Sequence, residues 1–123
     1  MSENLLGANA NIVRRFLTQT KSVEEFASFF TEDARYRSGN NEPLIGRDRI
    51  QEFSVRFRQG VKGVSHNIKA LWEIGDTVVC EMEATYTRHD GKVLTLPCLD
   101  VFRMEGDLFR ELEIYMDISP VFA

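Results

Sequence analysis

An α+β domain is the fold class this sequence predicts, on three observations. The first third carries apolar residues at helical spacing. The last half reads as a run of long strands. The turn signals between those strands, Gly75-Asp76, Asp90-Gly91 and Gly106-Asp107, are tight enough to make successive strands antiparallel. Helices followed by a consecutive antiparallel sheet predict helices packed on one sheet face.

Each element has its own signal. Ile12, Val13, Phe16 and Leu17 recur at helical spacing and predict the first helix. Ser22 with Glu25 is a capping-box pattern opening a second, with Phe26, Phe29 and Phe30 on its apolar stripe and Glu32-Asp33 ending it. Ala34 to Ser38 reads as a short strand, and Gly39-Asn40-Asn41-Glu42-Pro43 as a turn-rich connection. Gly46 precedes a third helix from about Arg47 to Gln59, with Ile50, Phe53 and Phe57 inward.

A chain of 123 residues suits one domain, residues 1–123, with one core. Hydrophobic residues make up 43% and charged residues 28%, ordinary for a globular protein. The net charge of −4 argues against a nucleic-acid partner, because phosphates call for a basic surface. No apolar run has the ~20 residues of a membrane span, and no secretory signal is expected. Cys80 and Cys98 fit reduced thiols, so a cytoplasmic location is the expectation. They lack zinc-site spacing, only two His are present, and no Gly-rich phosphate loop occurs; neither metal nor cofactor is expected.

Register converts the turns into faces. With two-residue hairpins, Ile74 opposes Thr77, His89 opposes Lys92 and Glu105 opposes Leu108. One face then holds His66, Ile68 and Trp72, Glu81, Glu83 and Thr85, Leu96, Cys98, Asp100 and Phe102, and Glu111, Glu113, Tyr115 and Asp117. The other is almost wholly apolar, from Val78, Cys80, Met82, Ala84 and Tyr86 to Leu112, Ile114 and Met116. This puts the cysteines on opposite faces. Either the apolar face meets the helices and the acidic face meets water, or the mixed face lies under the helices as a polar-floored pocket. In the second case the apolar face is buried against a second subunit.

Within the run Leu96-Pro97-Cys98-Leu99-Asp100-Val101-Phe102-Arg103-Met104, Asp100 is a lone acid among apolar neighbours. On a buried face such a carboxyl must be paired, hydrogen-bonded or protonated. Held protonated, it can donate a proton or hydrogen bond to a ligand. The alternative is an Asp bonded to an Arg or a helix end.

Four segments carry a resemblance: Phe30-Thr31-Glu32-Asp33-Ala34-Arg35-Tyr36, Leu44-Ile45-Gly46-Arg47-Asp48-Arg49-Ile50, Leu99-Asp100-Val101-Phe102-Arg103 and Tyr115-Met116-Asp117. In this order the chain resembles the SnoaL-like family of the nuclear-transport-factor-2-like superfamily. The resemblance implies a cone-shaped, cystatin-like α+β barrel. Three helices are wrapped by a strongly curved antiparallel sheet, with a pocket inside and homodimers through the outer sheet face. It favours the mixed face as the interior.

Residue by residue, the resemblance carries over unevenly. Asp100 matches the oxyanion-hole Asp of ketosteroid isomerase, while Phe16 and Ser38 stand where its Tyr and general-base Asp would be. Against limonene epoxide hydrolase, Tyr36 matches the Tyr, Glu81 falls on the Arg, and Glu83 on one of the acids. His66 could be the His of scytalone-dehydratase-like enzymes. The polyketide-cyclase branch needs little more than an acid in an apolar pocket.

The expected catalytic set is Asp100, His66 and Glu83. The expected ligand-binding set is Tyr36, Tyr115, Trp72, Phe53, Phe57, Leu96, Cys98, Phe102 and Glu81. The expected activity is cofactor-free acid/base chemistry of cyclase, isomerase or hydrolase kind on a small apolar molecule. The alternative is a non-catalytic binding or dimerisation module of the same fold.

Overall fold

The helical segments form where the apolar spacing places them. In the computed structural model, which describes residues 7–123, α1 spans Ala8–Gln19 and buries Ala10, Ile12, Val13, Phe16 and Leu17. Its leading residue, Gly7, has no side chain to cap the helix. The cap comes instead from across the fold: Glu73 Oε1 accepts the N–H groups of Gly7 (2.8 Å) and Ala10 (3.0 Å). Glu73→Ala should therefore cost about 1–2 kcal/mol, read as a lowered denaturant midpoint.

Helix α2 (Val23–Ser28) opens on the predicted cap, with Ser22 Oγ accepting the Glu25 N–H at 3.0 Å. The return bond of Glu25 goes to the Lys21 N–H, at 2.9 Å. The helix stops before Glu32-Asp33, and Phe30 already belongs to strand β1 (Phe30–Ser38). Three tertiary hydrogen bonds account for the early end. The Phe109 N–H donates to the Phe29 carbonyl at 2.8 Å, and the Arg47 guanidinium donates to the Phe30 carbonyl at 2.7 and 2.9 Å. Six residues of helix cannot outweigh strand pairing plus burial of a phenylalanine.

A two-residue β2 (Leu44–Ile45) leads through Gly46 into α3 (Arg47–Gly60). Gly46 has φ +105°, where a side chain would be strained, and its N–H reaches the Ala34 carbonyl at 2.8 Å. Then follow β3 (Gly63–Ile74), β4 (Thr77–Thr87), β5 (Val93–Glu105), β6 (Leu108–Tyr115) and a 3-10 turn at Ser119–Phe122.

The strands form one curved, unclosed sheet in the order β2-β1-β6-β5-β4-β3, so the expected barrel stays open between its two edges. All pairs are antiparallel except β1 with β6, which is parallel. Register shifts interrupt β1 between Phe30 and Arg35, β3 between Ile68 and Ala70, and the β5–β6 ladder between Arg103 and Met104. Each leaves extra chain on one strand and bends it.

These shifts, with a longer turn at residues 88–92, overturn half of the face assignment. Thr87 opposes Val93, so Cys80 opposes Asp100 and Met82 opposes Cys98. Strands β4 and β6 are turned over relative to expectation, while β5 and the first half of β3 face as expected. The inner face therefore carries His66 and Ile68, Val78 to Tyr86 at even positions, Leu96 to Met104 at even positions, and Leu112 and Ile114. Glu81 and Glu83 lie outside. Both cysteines are buried free thiols on the same face.

The interior is aromatic. Phe16, Phe30, Phe102 and Phe109 are buried together, with ring centroids 4.8–6.0 Å apart. On the convex face Glu113 takes Arg35 at 2.8 Å and Arg37 at 2.9 Å, and Glu111 takes Arg35 at 3.3 Å. Burial pulls Glu113 upward, but its arginine hydrogen bonds and charges outweigh that and hold it below the usual glutamate range.

Candidate functional site

The helices do not fill the hollow of the sheet. A cavity of about 190 Å³ remains between α1, α2, α3 and the inner face, lined mainly by apolar groups including Phe26, Phe53, Phe57 and Met82. Val64, 45% exposed, and Arg58 mark its mouth.

Asp100 sits in its wall, 3% exposed. Alternation along β5 aims it inward with Cys98 and Phe102, between Cys80 on one neighbour and Ile114 on the other. Among the described residues no cation pairs with it. The side-chain group that donates to it is the weak Cys98 thiol, 3.3 Å from Oδ1. Burial pushes the carboxyl up to about 7, and the thiol bond offsets only part of that. The reverse effect falls on its neighbours: burial, then the nearby Asp100 charge, pushes the Cys80 thiol up to about 12. Tyr36, buried in the same wall, is likewise held above the ordinary tyrosine range, first by burial and then by Asp100. Tyr36 is therefore a neutral phenol, a hydrogen-bond donor beside a carboxyl that changes charge near neutrality.

His66 also lines the cavity, half-buried near the mouth. Its Nδ1 lies 3.1 Å from the Leu17 carbonyl oxygen, which can only accept. The ring proton therefore sits on Nδ1, and Nε2 is the basic nitrogen. Burial lowers its pKa, keeping it neutral, with the Leu17 bond opposing. His66 opposes Ala84, four residues along β4 from the Cys80 partner of Asp100, about 13 Å along the strand. The two groups thus serve different ends of the cavity.

The other expected site residues divide. Tyr36, Phe53, Phe57 and Cys98 line the cavity. Phe102 is fully buried in the core below it, and Leu96 packs in a separate cluster with Ala84 and Tyr86. Glu83, Glu81, Trp72 and Tyr115 are on the convex side, with Trp72 48% and Tyr115 54% exposed. Glu81, Glu83, Tyr115 and Trp72 follow the turned-over β4 and β6, Trp72 through its pairing with Val79, whereas the β3 shift keeps His66 inward. Asp117 accepts the Ser119 N–H at 3.0 Å and caps the 3-10 turn.

Several cavity groups lie outside the expected set, Met82, Ile114 and Ser54 among them, as do the polar Tyr86, Thr20 and Arg58. Tyr86 points inward because β4 is turned over, and its hydroxyl meets Met116 Sδ at 3.7 Å. Thr20, at the end of α1, has a fully buried hydroxyl with no partner. Arg58 reads as a solvated helix residue and is exposed on α3, and it also borders the cavity. Phe16 and Ser38, which replace the ketosteroid-isomerase Tyr and base, both line the cavity. Among the described residues no three His, Cys, Asp or Glu gather as metal ligands would, and no helix is long and apolar enough to cross a membrane.

Comparison with known proteins agrees with this architecture. The family model described as the SnoaL-like domain matches residues 13–112. No curated protein matches. Among solved structures, an NTF2-like protein of unknown function from Burkholderia pseudomallei K96243 is 16% identical with TM-score 0.85, covering 95% of this chain and 96% of that one. A protein from Jannaschia sp. CCS1 designated a SnoaL-like polyketide cyclase is 16% identical with TM-score 0.81, covering 94% and 89%. An LEH-like epoxide hydrolase from M. tuberculosis is 17% identical with TM-score 0.79, covering 94% and 86%.

Proposed function

The chain belongs to the SnoaL-like domain family, and we propose that it is a cofactor-free acid/base enzyme acting on a small, largely apolar cyclic molecule. The observation that carries this reading is Asp100: a carboxyl 3% exposed, without a cation, in an aromatic cavity, and poised near pH 7. A general acid or base works best with a pKa near the operating pH. Protonated, Asp100 donates to a substrate carbonyl, hydroxyl or ring oxygen, with the neutral Tyr36 phenol as a second donor. Ionised, it takes a proton from an adjacent carbon or water. The reaction is a proton relocation, or addition or loss of water, and needs no redox partner.

Cavity size limits the substrate. A cavity of about 150 Å³ holds benzene. The space here, about 190 Å³, suits one ring with small substituents. Structural neighbours at 16–17% identity carry the fold alone, so the chemistry rests on Asp100 and the cavity. Incubation with small cyclic enones, β-dicarbonyls and epoxides, followed by mass spectrometry, tests the reading. Product formed by the wild type and lost in Asp100→Asn supports it. Saturable binding without product for the whole panel favours a binding module instead.

The convex face bears on assembly. We propose that a second copy covers it, because Trp72, Ile74 (67% exposed) and Tyr115 lie there beside Val79, Leu99 and Val101. The arginine–glutamate network limits its apolar part to the β3–β5 end. Sedimentation should give a dimer for the wild type and a monomer for Trp72→Glu; a wild-type monomer at high concentration would rule this out.

A further inference from the structure

The cavity mouth holds two donors that the fold leaves without adequate partners. Thr20 Oγ1 is fully buried against the cavity and makes no hydrogen bond. A buried hydroxyl is normally satisfied, so an orphan at a cavity wall marks a place for a ligand acceptor. Arg58, in the last turn of α3, borders the same cavity. Of its five N–H donors, one meets the Lys21 carbonyl, at 3.5 Å, and among the described residues no carboxylate pairs with it. Lys21 directly follows Thr20, so this bond holds the guanidinium over the end of α1 where the orphan hydroxyl lies. The two donors come from the ends of different helices and border the same cavity, the hydroxyl from its wall and the guanidinium from its exposed side.

An acceptor suited to both is an anionic oxygen pair. Guanidinium groups match carboxylate geometry, and a hydroxyl can donate a further bond to the same group. Below this polar rim the cavity is aromatic, with Phe26, Phe53 and Phe57 offering ring faces and edges. We propose that the substrate or ligand is a small cyclic carboxylate: its ring lies among these phenylalanines and its carboxylate lies at the mouth between Arg58 and Thr20. This names the substrate class for the acid/base reading above and rests on the same cavity. Its reacting atoms then lie inward, towards Asp100 and Tyr36, and its charge stays near solvent, where desolvation costs least.

Matched probes test this without an assay for turnover. Phenylacetate and phenylacetamide share ring and shape and differ in charge. Calorimetry at low ionic strength should show phenylacetate binding about tenfold tighter, with the preference shrinking as salt is added. Arg58→Gln should bring the two probes to similar affinity, with unchanged melting because Arg58 is exposed. Thr20→Val should weaken the carboxylate several-fold and the amide less, because the charged acceptor gains more from the same hydroxyl. Equal binding of both probes to the wild type, or an undiminished carboxylate preference in Arg58→Gln, overturns the carboxylate assignment while leaving the cavity reading intact. Failure of both probes and of neutral one-ring compounds to bind overturns both.

Discussion

Asp100→Asn is expected to remove most turnover while making the protein harder to melt at neutral pH. Loss of an acid or of a preorganised donor at the reacting centre costs about 10²–10³ in turnover. The stability effect has a definite sign. The unfolded carboxyl titrates at its ordinary 3.8 and the folded one at about 7. Between those values the native state holds a proton that the unfolded state has released. Stability therefore falls as pH rises through that window, by about 1.4 kcal/mol per unit. Below about pH 4 both states are protonated and the contribution vanishes; above about 7 the full loss is present. Asparagine is neutral throughout, and its carbonyl oxygen can still accept from the Cys98 thiol. The variant should match the wild type at pH 4 and melt several degrees higher at pH 8. Melting curves that stay parallel from pH 4 to 8 would show that the carboxyl is solvated, and the acid/base reading would fall with that result.

The second large effect is structural. Phe16→Ala should cost about 3–5 kcal/mol, a large share of the 5–15 kcal/mol typical of a domain. Phe16 packs against Phe26, Phe29, Phe30, Phe102 and Phe109 with centroids 5.1, 5.2, 5.7, 6.0 and 4.9 Å away, mostly edge-on. It joins α1, α2, β1, β5 and β6 in one contact group. Truncation also opens the cavity that this ring borders, so the void cannot close by a local shift. Urea unfolding should show a lower midpoint with an unchanged slope. Phe16→Leu, which keeps most of the volume, should lose well under half as much. An alanine variant as stable as the wild type would mean that the surrounding phenylalanines collapse into the space.

Much of the architecture was legible because local chemistry decided it. Helical apolar spacing gave α1 and α3, Ser22 and Glu25 gave the start of α2, and Gly-Asp and Asp-Gly pairs gave the hairpins. Along β5, alternation put Asp100 on one face with Cys98 and Phe102 but left open which face was inner; the resemblance favoured the inward choice, and the side chain is buried. Illegible features depended on partners distant in sequence. The end of α2 is set by Phe109 and Arg47, and the β1–β6 parallel pair joins residues more than seventy positions apart. Most consequential was the parity of the ladders. The turn at residues 88–92 and the shifts beside Lys69 and Arg110 each move the count by one, and one is enough to exchange inside for outside. Hence Glu81, Glu83 and Tyr115 were placed in the cavity, and Tyr86 was not. Thr20 gave no signal, since lacking a partner is a property of the folded surroundings.

The same parity bears on engineering. Lys69 is the surplus residue of its ladder, lying between Ile68 opposite Met82 and Ala70 opposite Glu81, so deleting it would leave one continuous pairing with every face unchanged. His66 would still oppose Ala84 and face the cavity, and what would be lost is the local bend of the strand. A one-residue change can thus be absorbed where a bulge already stands, and longer ones belong in the connection at residues 40–43, outside the ladder that pairs β2 with β1.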